Sequence, residues 1–265
     1  MKIDLKLEGQ STDARFDFSV PCDDGVVPAT FWNARVPAGA NTPVTLLQHG
    51  GPFHKRHERT DWLAAQIVER TGSAVLLIDG PIHGRRGDAD RDVMEMLGVF
   101  ERHWRTSPGI ERYVSDWRTV LDVVLEQGWA DPNRVAWFGM SMGTAYGIPL
   151  CAAEPRIKGA VLGMWGLDWG QNDALLHDAR IMRTPALFQI KSEDEIFSTD
   201  GQRALFDAIG SPNKCLHTFA GGHSLTAPGQ LDELLDFIAH ALALDGDTVT
   251  RSRSADFART GGQDE

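Results

Sequence analysis

The chain of 265 residues is short of several things, and each shortage closes a class of explanation. Cysteine is scarce: Cys22, Cys151 and Cys215 are odd in number and far apart, with no Cys-x-x-Cys pair. A disulfide framework is therefore not expected, and the cysteines read as buried filler in a reducing, cytoplasmic setting. Positive charge is scarce too. Lys and Arg number 26 against 37 Asp and Glu, for a formal net charge of −11. That balance argues against nucleic acid or an anionic membrane as a partner. No apolar run approaches the roughly 18 residues of a spanning helix. The opening residues, Met1-Lys2-Ile3-Asp4-Leu5-Lys6-Leu7-Glu8, lack the apolar stretch of a secretory leader.

What is present centres on one stretch. Val135-Ala136-Trp137-Phe138 is a short apolar strand. It runs into Gly139-Met140-Ser141-Met142-Gly143, and a small-residue helix follows. Gly-x-Ser-x-Gly between a strand and a helix is the pattern of a nucleophile elbow. The turn strains the serine backbone, and the glycines leave room for strand and helix to approach. The bare five-residue pattern arises by chance, so the flanking elements carry its weight. A near match, Gly222-His223-Ser224-Leu225-Thr226, lacks the last glycine and the helix.

The rest of the chain alternates strand and helix. Two N-terminal strands are predicted, Phe16 to Val20 and Val26 to Val36, around the turn residues Pro21-Cys22-Asp23-Asp24-Gly25. Buried-type strands follow at Val44 to Gln48, Ala74 to Ile78, Gly159 to Met164, Pro185 to Ile190 and Cys215 to Phe219. Apolar spacing predicts helices at Asp61 to Arg70, Arg112 to Gln127, Asp200 to Ile209 and Gln230 to Leu244, with a short one around Val93–Trp104. The expected fold is α/β: a mainly parallel sheet with antiparallel N-terminal strands and helices on both faces. Residues 1–245 read as one domain with short cap insertions near 82–110 and 165–183. Residues 246–265 are polar and read as a flexible tail.

In such sheets, sites form at the carboxyl ends of the strands. A serine hydroxyl is a weak nucleophile and needs a base, which needs an orienting acid. The order serine, acid, histidine fits two loops after the elbow. His223 lies on the glycine-flanked loop after the last strand. His217 lies inside a strand and His240 late on a helix, so neither is well placed. The acid falls in Lys191-Ser192-Glu193-Asp194-Glu195-Ile196, with Asp194 chosen; Glu193, Glu195 and Asp168 remain alternatives. An oxyanion needs backbone N–H donors. Met142, after the nucleophile, is one candidate. Gly51 in His49-Gly50-Gly51-Pro52 is the other, since Pro52 has no N–H. His49 reads as a structural brace of that loop.

Taken together, His49-Gly50-Gly51, Asp79-Gly80-Pro81 with His83-Gly84, Asp131-Pro132-Asn133-Arg134, the elbow, Asp194 and Gly222-His223 resemble the α/β-hydrolases. The likeness is to the branch of dienelactone hydrolases and prolyl-oligopeptidase-type esterases, over residues 40–244. It implies a serine hydrolase using Ser141, Asp194 and His223, with no metal and no cofactor. Two departures stand out. Dienelactone hydrolases carry a cysteine nucleophile, and Lys191 stands where many relatives have glycine. Phe53, His83, Trp165 and Trp169 are candidate walls of a substrate pocket. The basic segments 54–59 and Arg85-Arg86 are candidates to meet an anionic substrate, with solvated loops the favoured reading. The expected substrate is a small soluble ester. The charged 82–110 segment offers no broad apolar lid for a lipid surface.

Overall fold

The computed structural model describes residues 6–12 (as backbone), 15–22, 25–33, 39–88 and 91–243. The tail expected at 246–265 and the end of the second N-terminal strand, 34–36, lie outside them. Among the described residues nine strands form one sheet, in the order β1-β2-β3-β5-β4-β6-β7-β8-β9. Strands β1 (Lys6–Thr12), β2 (Arg15–Cys22) and β3 (Gly25–Trp32) are antiparallel to their neighbours, and β3 joins β5 (Ala74–Ile78) in the same sense. From there the sheet is parallel through β4 (Val44–Leu47), β6 (Val135–Phe138), β7 (Ile157–Gly163), β8 (Ala186–Lys191) and β9 (Lys214–Phe219). Both faces are covered, so β4, β5 and β6 are buried along their whole lengths and read as continuous apolar runs.

The period of two sorts each strand between two cores. Leu76 and Trp137 pack on one face with α2 (Val93–Thr106), α3 (Ile110–Glu126), α4 (Met142–Ala153), α5 (Asn172–Ile181) and α6 (Thr199–Ala208). Leu77 and Phe138 pack on the other with α1 (Glu58–Thr71) and α7 (Gln230–Ala243). Helix α4 is buried on every side from Met142 to Cys151, which is why its sequence shows no polar stripe. Its small residues are needed for contact: a Cβ on Gly147 would come within 2.2 Å of Trp137 Nε1.

Two elements were not anticipated. Strand β1 has a single apolar residue, Leu7, in Lys-Leu-Glu-Gly-Gln-Ser-Thr, and it is held by backbone pairing to β2. Helix α5 lies inside the short insertion read at 165–183, for which no helix was predicted. Its buried residues are Leu175 and Ala179, a spacing of four that was there to be seen. No helix among the described residues is long and apolar enough to cross a membrane.

Candidate active site

Ser141 occupies the sharp turn between β6 and α4 at φ 56° and ψ −119°. A non-glycine residue there stores on the order of 1–3 kcal/mol of strain. The surroundings hold it. The Ser141 N–H donates to Gly163 O at the end of β7 (2.8 Å), and the Thr144 hydroxyl donates to the same carbonyl (2.7 Å). A Cβ on Gly139 would lie 2.5 Å from Gly143 O, so strand and helix meet there with no space for a side chain.

The β9–α7 loop brings His223 over this turn. His223 Nε2 is 2.8 Å from Ser141 Oγ, and Nδ1 is 2.9 Å from Asp194 Oδ2. The Asp194 side chain is fully buried. Its Oδ1 accepts the N–H groups of Ile196 (2.9 Å) and Phe197 (3.0 Å). Burial pushes its carboxyl up, but the His223 hydrogen bond and charge and the two backbone amides outweigh that and hold it below the ordinary value. The other acids sit elsewhere. Glu195 Oε2 accepts the backbone N–H of His223 (2.9 Å) and so braces the histidine loop. Glu193 is exposed. The Asp168 carboxylate lies beside Gly201 in the first turn of α6.

The loop after β4 is pinned by two buried histidines. His49 Nε2 accepts the Gly80 N–H (2.9 Å), so Nδ1 carries the proton and donates to Gly50 O (2.9 Å). His83 Nε2 donates to Gly51 O (2.7 Å). Burial drives both imidazoles toward the neutral form, His83 to about 4. Because the 50–51 peptide is trans, fixing the Gly50 carbonyl on His49 Nδ1 and Phe53 N–H turns the Gly51 N–H the opposite way. That N–H has no protein acceptor among the described residues. Met142 begins α4, whose positive end favours negative charge beside Ser141.

The aromatic candidates separate. His83 and Trp165 are each 1 % exposed, so both support the site from within and present almost no surface. Trp165 and Trp169 pack on Phe197 at ring distances of 4.5 and 5.0 Å. Phe197 in turn stands 5.9 Å from the His223 ring. Phe53 is half-buried against Gly50. Sequence reasoning passed over Phe197, and over Leu97 and Phe100 on α2, which cover Gly51. The signal for Leu97 and Phe100 was the apolar spacing of the 93–104 helix. In the basic segments, Lys55 and Arg56 are tied to Asp17, and Arg86 forms a buried pair with Asp116 (2.7 Å). A cavity of about 490 Å³ near Ile82, Arg86, His103 and Tyr113 is not this site, since neither Ser141, Gly51 nor His223 lines it. No group of three or more His, Cys, Asp or Glu that could hold a metal occurs among the described residues.

A strained serine at a strand–helix turn, on a mainly parallel sheet entered through antiparallel strands, defines the α/β-hydrolase fold, and the chain has that fold. Solved structures agree. A cold-adapted esterase from an Arctic intertidal metagenomic library, in its PEG-bound form, is similar at 29 % identity over 89 % of this chain and 99 % of its own, with a TM-score of 0.77. Its native form gives 27 % identity over 91 % of this chain and all of its own, with a TM-score of 0.72. Acetyl xylan esterase 1 from Thermoanaerobacterium sp. JW/SL YS485 shares the fold at 15 % identity over 91 % and 88 % of the two chains, with a TM-score of 0.65. No family model matches the sequence, and no curated protein does.

Proposed function

We propose that the protein is a serine hydrolase of small, soluble carboxylic esters, working through an acyl-enzyme. The observation that carries this reading is the position of His223, within hydrogen-bond distance of Ser141 Oγ on one side and of a fully buried carboxylate on the other. As the ester carbonyl is attacked by Ser141 Oγ, His223 Nε2 takes the hydroxyl proton. Asp194 holds the Nδ1–H tautomer and balances the imidazolium that forms. The Met142 and Gly51 N–H groups receive the developing oxyanion. Collapse expels the alcohol, which takes the proton from His223 Nε2. Water then repeats the sequence on the acyl-enzyme, releasing the acid and restoring Ser141.

The esterase names of the neighbours at 26–29 % identity support an ester as substrate. The compactness of the site supports a small one. Leu97 and Phe100 of α2 close over Gly51, and Phe197 fills the space beside His223. The test is fluorophosphonate labelling followed by a panel of p-nitrophenyl esters. The adduct is expected on Ser141, and kcat/KM should peak at acetyl to butyryl. An adduct on Ser224, or a preference for palmitoyl over butyryl esters, overturns the proposal.

A further inference from the structure

Helix α2 passes over the candidate site from sealed to open. Phe100 and Trp104 are buried, and Leu97, one turn before Phe100, is half-buried. One turn earlier again, Val93 and Met94 are 38 % and 71 % exposed. Spacings of three and four put Val93, Leu97, Phe100 and Trp104 on one face of the helix. Among the described residues five large apolar side chains are exposed, and two of them are these neighbours. The helix is well formed there: the Asp92 carboxylate accepts the N–H groups of Met94 (2.9 Å) and Glu95 (3.3 Å). Its other end is tied to the 169–171 segment. Trp104 Nε1 donates to Gly170 O (3.3 Å), Arg105 Nη1 to Trp169 O (3.1 Å), and Gln171 Nε2 to Arg105 O (2.9 Å).

The apolar face of α2 meets the site at Gly51. A Cβ on that glycine would lie 2.8 Å from Phe100 Cδ1 and 3.7 Å from Leu97 Cδ1. The Phe100 ring is packed among those of His83, Trp165 and Trp169, at 5.4, 6.2 and 6.2 Å, and presents almost no surface. Leu97 both borders the oxyanion loop and stays partly open to solvent. The chemistry then sorts the two halves of an ester. With the carbonyl carbon on Ser141 Oγ and its oxygen on the Gly51 and Met142 N–H groups, the leaving oxygen has to lie by His223 Nε2, which gives it a proton. The alcohol therefore extends on the His223 side, where Phe197 stands 5.9 Å from the imidazole ring. The acyl group takes the remaining direction, away from His223, and the apolar side chain open to it at Gly51 is Leu97.

We propose that Leu97 is a specificity-determining residue, the one that limits the length of an unbranched, uncharged acyl group. The inference rests on the ester reading above and names the half of the ester that α2 selects. A short acyl group ends against the Leu97 isobutyl group. A longer one has to push past it, although the surface one turn further along the helix is apolar and would accept the added methylenes. The charges near that surface are paired with one another: Arg91 meets Glu95 (3.4 Å) and Asp88 (3.6 Å).

The test is kcat/KM of the full chain for two series of esters, in the wild type, Leu97→Ala and Leu97→Phe. One series varies the acyl group: p-nitrophenyl acetate, butyrate and hexanoate. The other varies the alcohol: methyl and butyl acetate, followed by release of acid. Burying one methylene is worth roughly fourfold, so the space left by Leu97→Ala, about two methylenes, should raise the hexanoate-to-butyrate ratio about fifteenfold. Leu97→Phe should lower the butyrate-to-acetate ratio by about fourfold or more. The ratio of butyl to methyl acetate should stay within about threefold of wild type in both variants, because the alcohol lies on the other side. A ratio taken within one variant cancels any loss of folded protein, so a merely structural role moves none of them. Acyl ratios within about threefold of wild type overturn the inference, and so does an alcohol ratio that shifts as far as the acyl one. Should Leu97→Ala fail to fold, Leu97→Phe decides alone. A wild type that hydrolyses none of these esters removes the ester reading and this inference with it; a wild type that hydrolyses them beside unshifted variants removes this inference only.

Discussion

Asp194→Asn exposes the logic of the site most directly, because the structure dictates which way the new amide must face. The two backbone N–H groups of Ile196 and Phe197 converge on Oδ1, so an oxygen has to stay there. The NH2 then takes the place of Oδ2, 2.9 Å from His223 Nδ1. A donor facing Nδ1 forces the histidine proton onto Nε2, which points at Ser141 Oγ and can no longer accept its proton. The side chain is sealed from solvent and touches no substrate, so KM should change less than about threefold. The fall in kcat should be roughly 10⁴-fold, the size of a wrong-tautomer defect, or about 5.5 kcal/mol in the barrier. Steady-state kinetics on p-nitrophenyl butyrate, with circular dichroism to verify folding, measures both. A loss of less than tenfold would refute the reasoning. A mild Asp194→Asn beside a crippling Asp168→Asn would show that the acid is elsewhere.

Two further outcomes follow from the packing around Gly51. A Cβ there would stand 2.8 Å from Phe100 Cδ1, so Gly51→Ala has to displace α2 or the loop; kcat should drop by at least about tenfold, with Phe100→Leu recovering part of it, and no recovery would place the defect elsewhere. His83 is buried neutral, with burial lowering it to about 4, so the unfolded chain takes up its proton near the ordinary 6.5 and the folded chain does not. Its contribution is therefore complete above about 6.5 and is lost as pH falls toward 4, by about 3 kcal/mol in all. Urea unfolding of His83→Gln at pH 7 and 4.5 should show a smaller pH dependence than the wild type, and an identical one would refute the assignment.

Much of this was readable in the chain because its signals are local. The elbow needs only a strand, two glycines and a helix in succession. Short apolar runs marked β4 to β8 because parallel strands buried on both faces have little polar alternation to hide them. The misses have physical reasons as well. Strand β1 is held by backbone bonds that no side chain announces. The choice among Glu193, Asp194 and Glu195 could not be made from three adjacent carboxylates. The turn after β8 buries one, exposes one and spends one on the His223 backbone.

Local residue patterns were enough for most of the strands and helices in their order (β1 and α5 excepted), for the strained turn at Ser141 and for the short set of residues from which a base and an acid could come. Each follows from residue types within a few positions of one another. Only the tertiary structure decided distances between residues far apart in the chain. It set His223 within 2.8 Å of a serine 82 residues earlier. It turned His83 into a brace for Gly51, and it buried Lys191 beneath the histidine loop. Those outcomes depend on which strand ends become neighbours and on which side chains water is excluded from, and neither is a property of any local stretch.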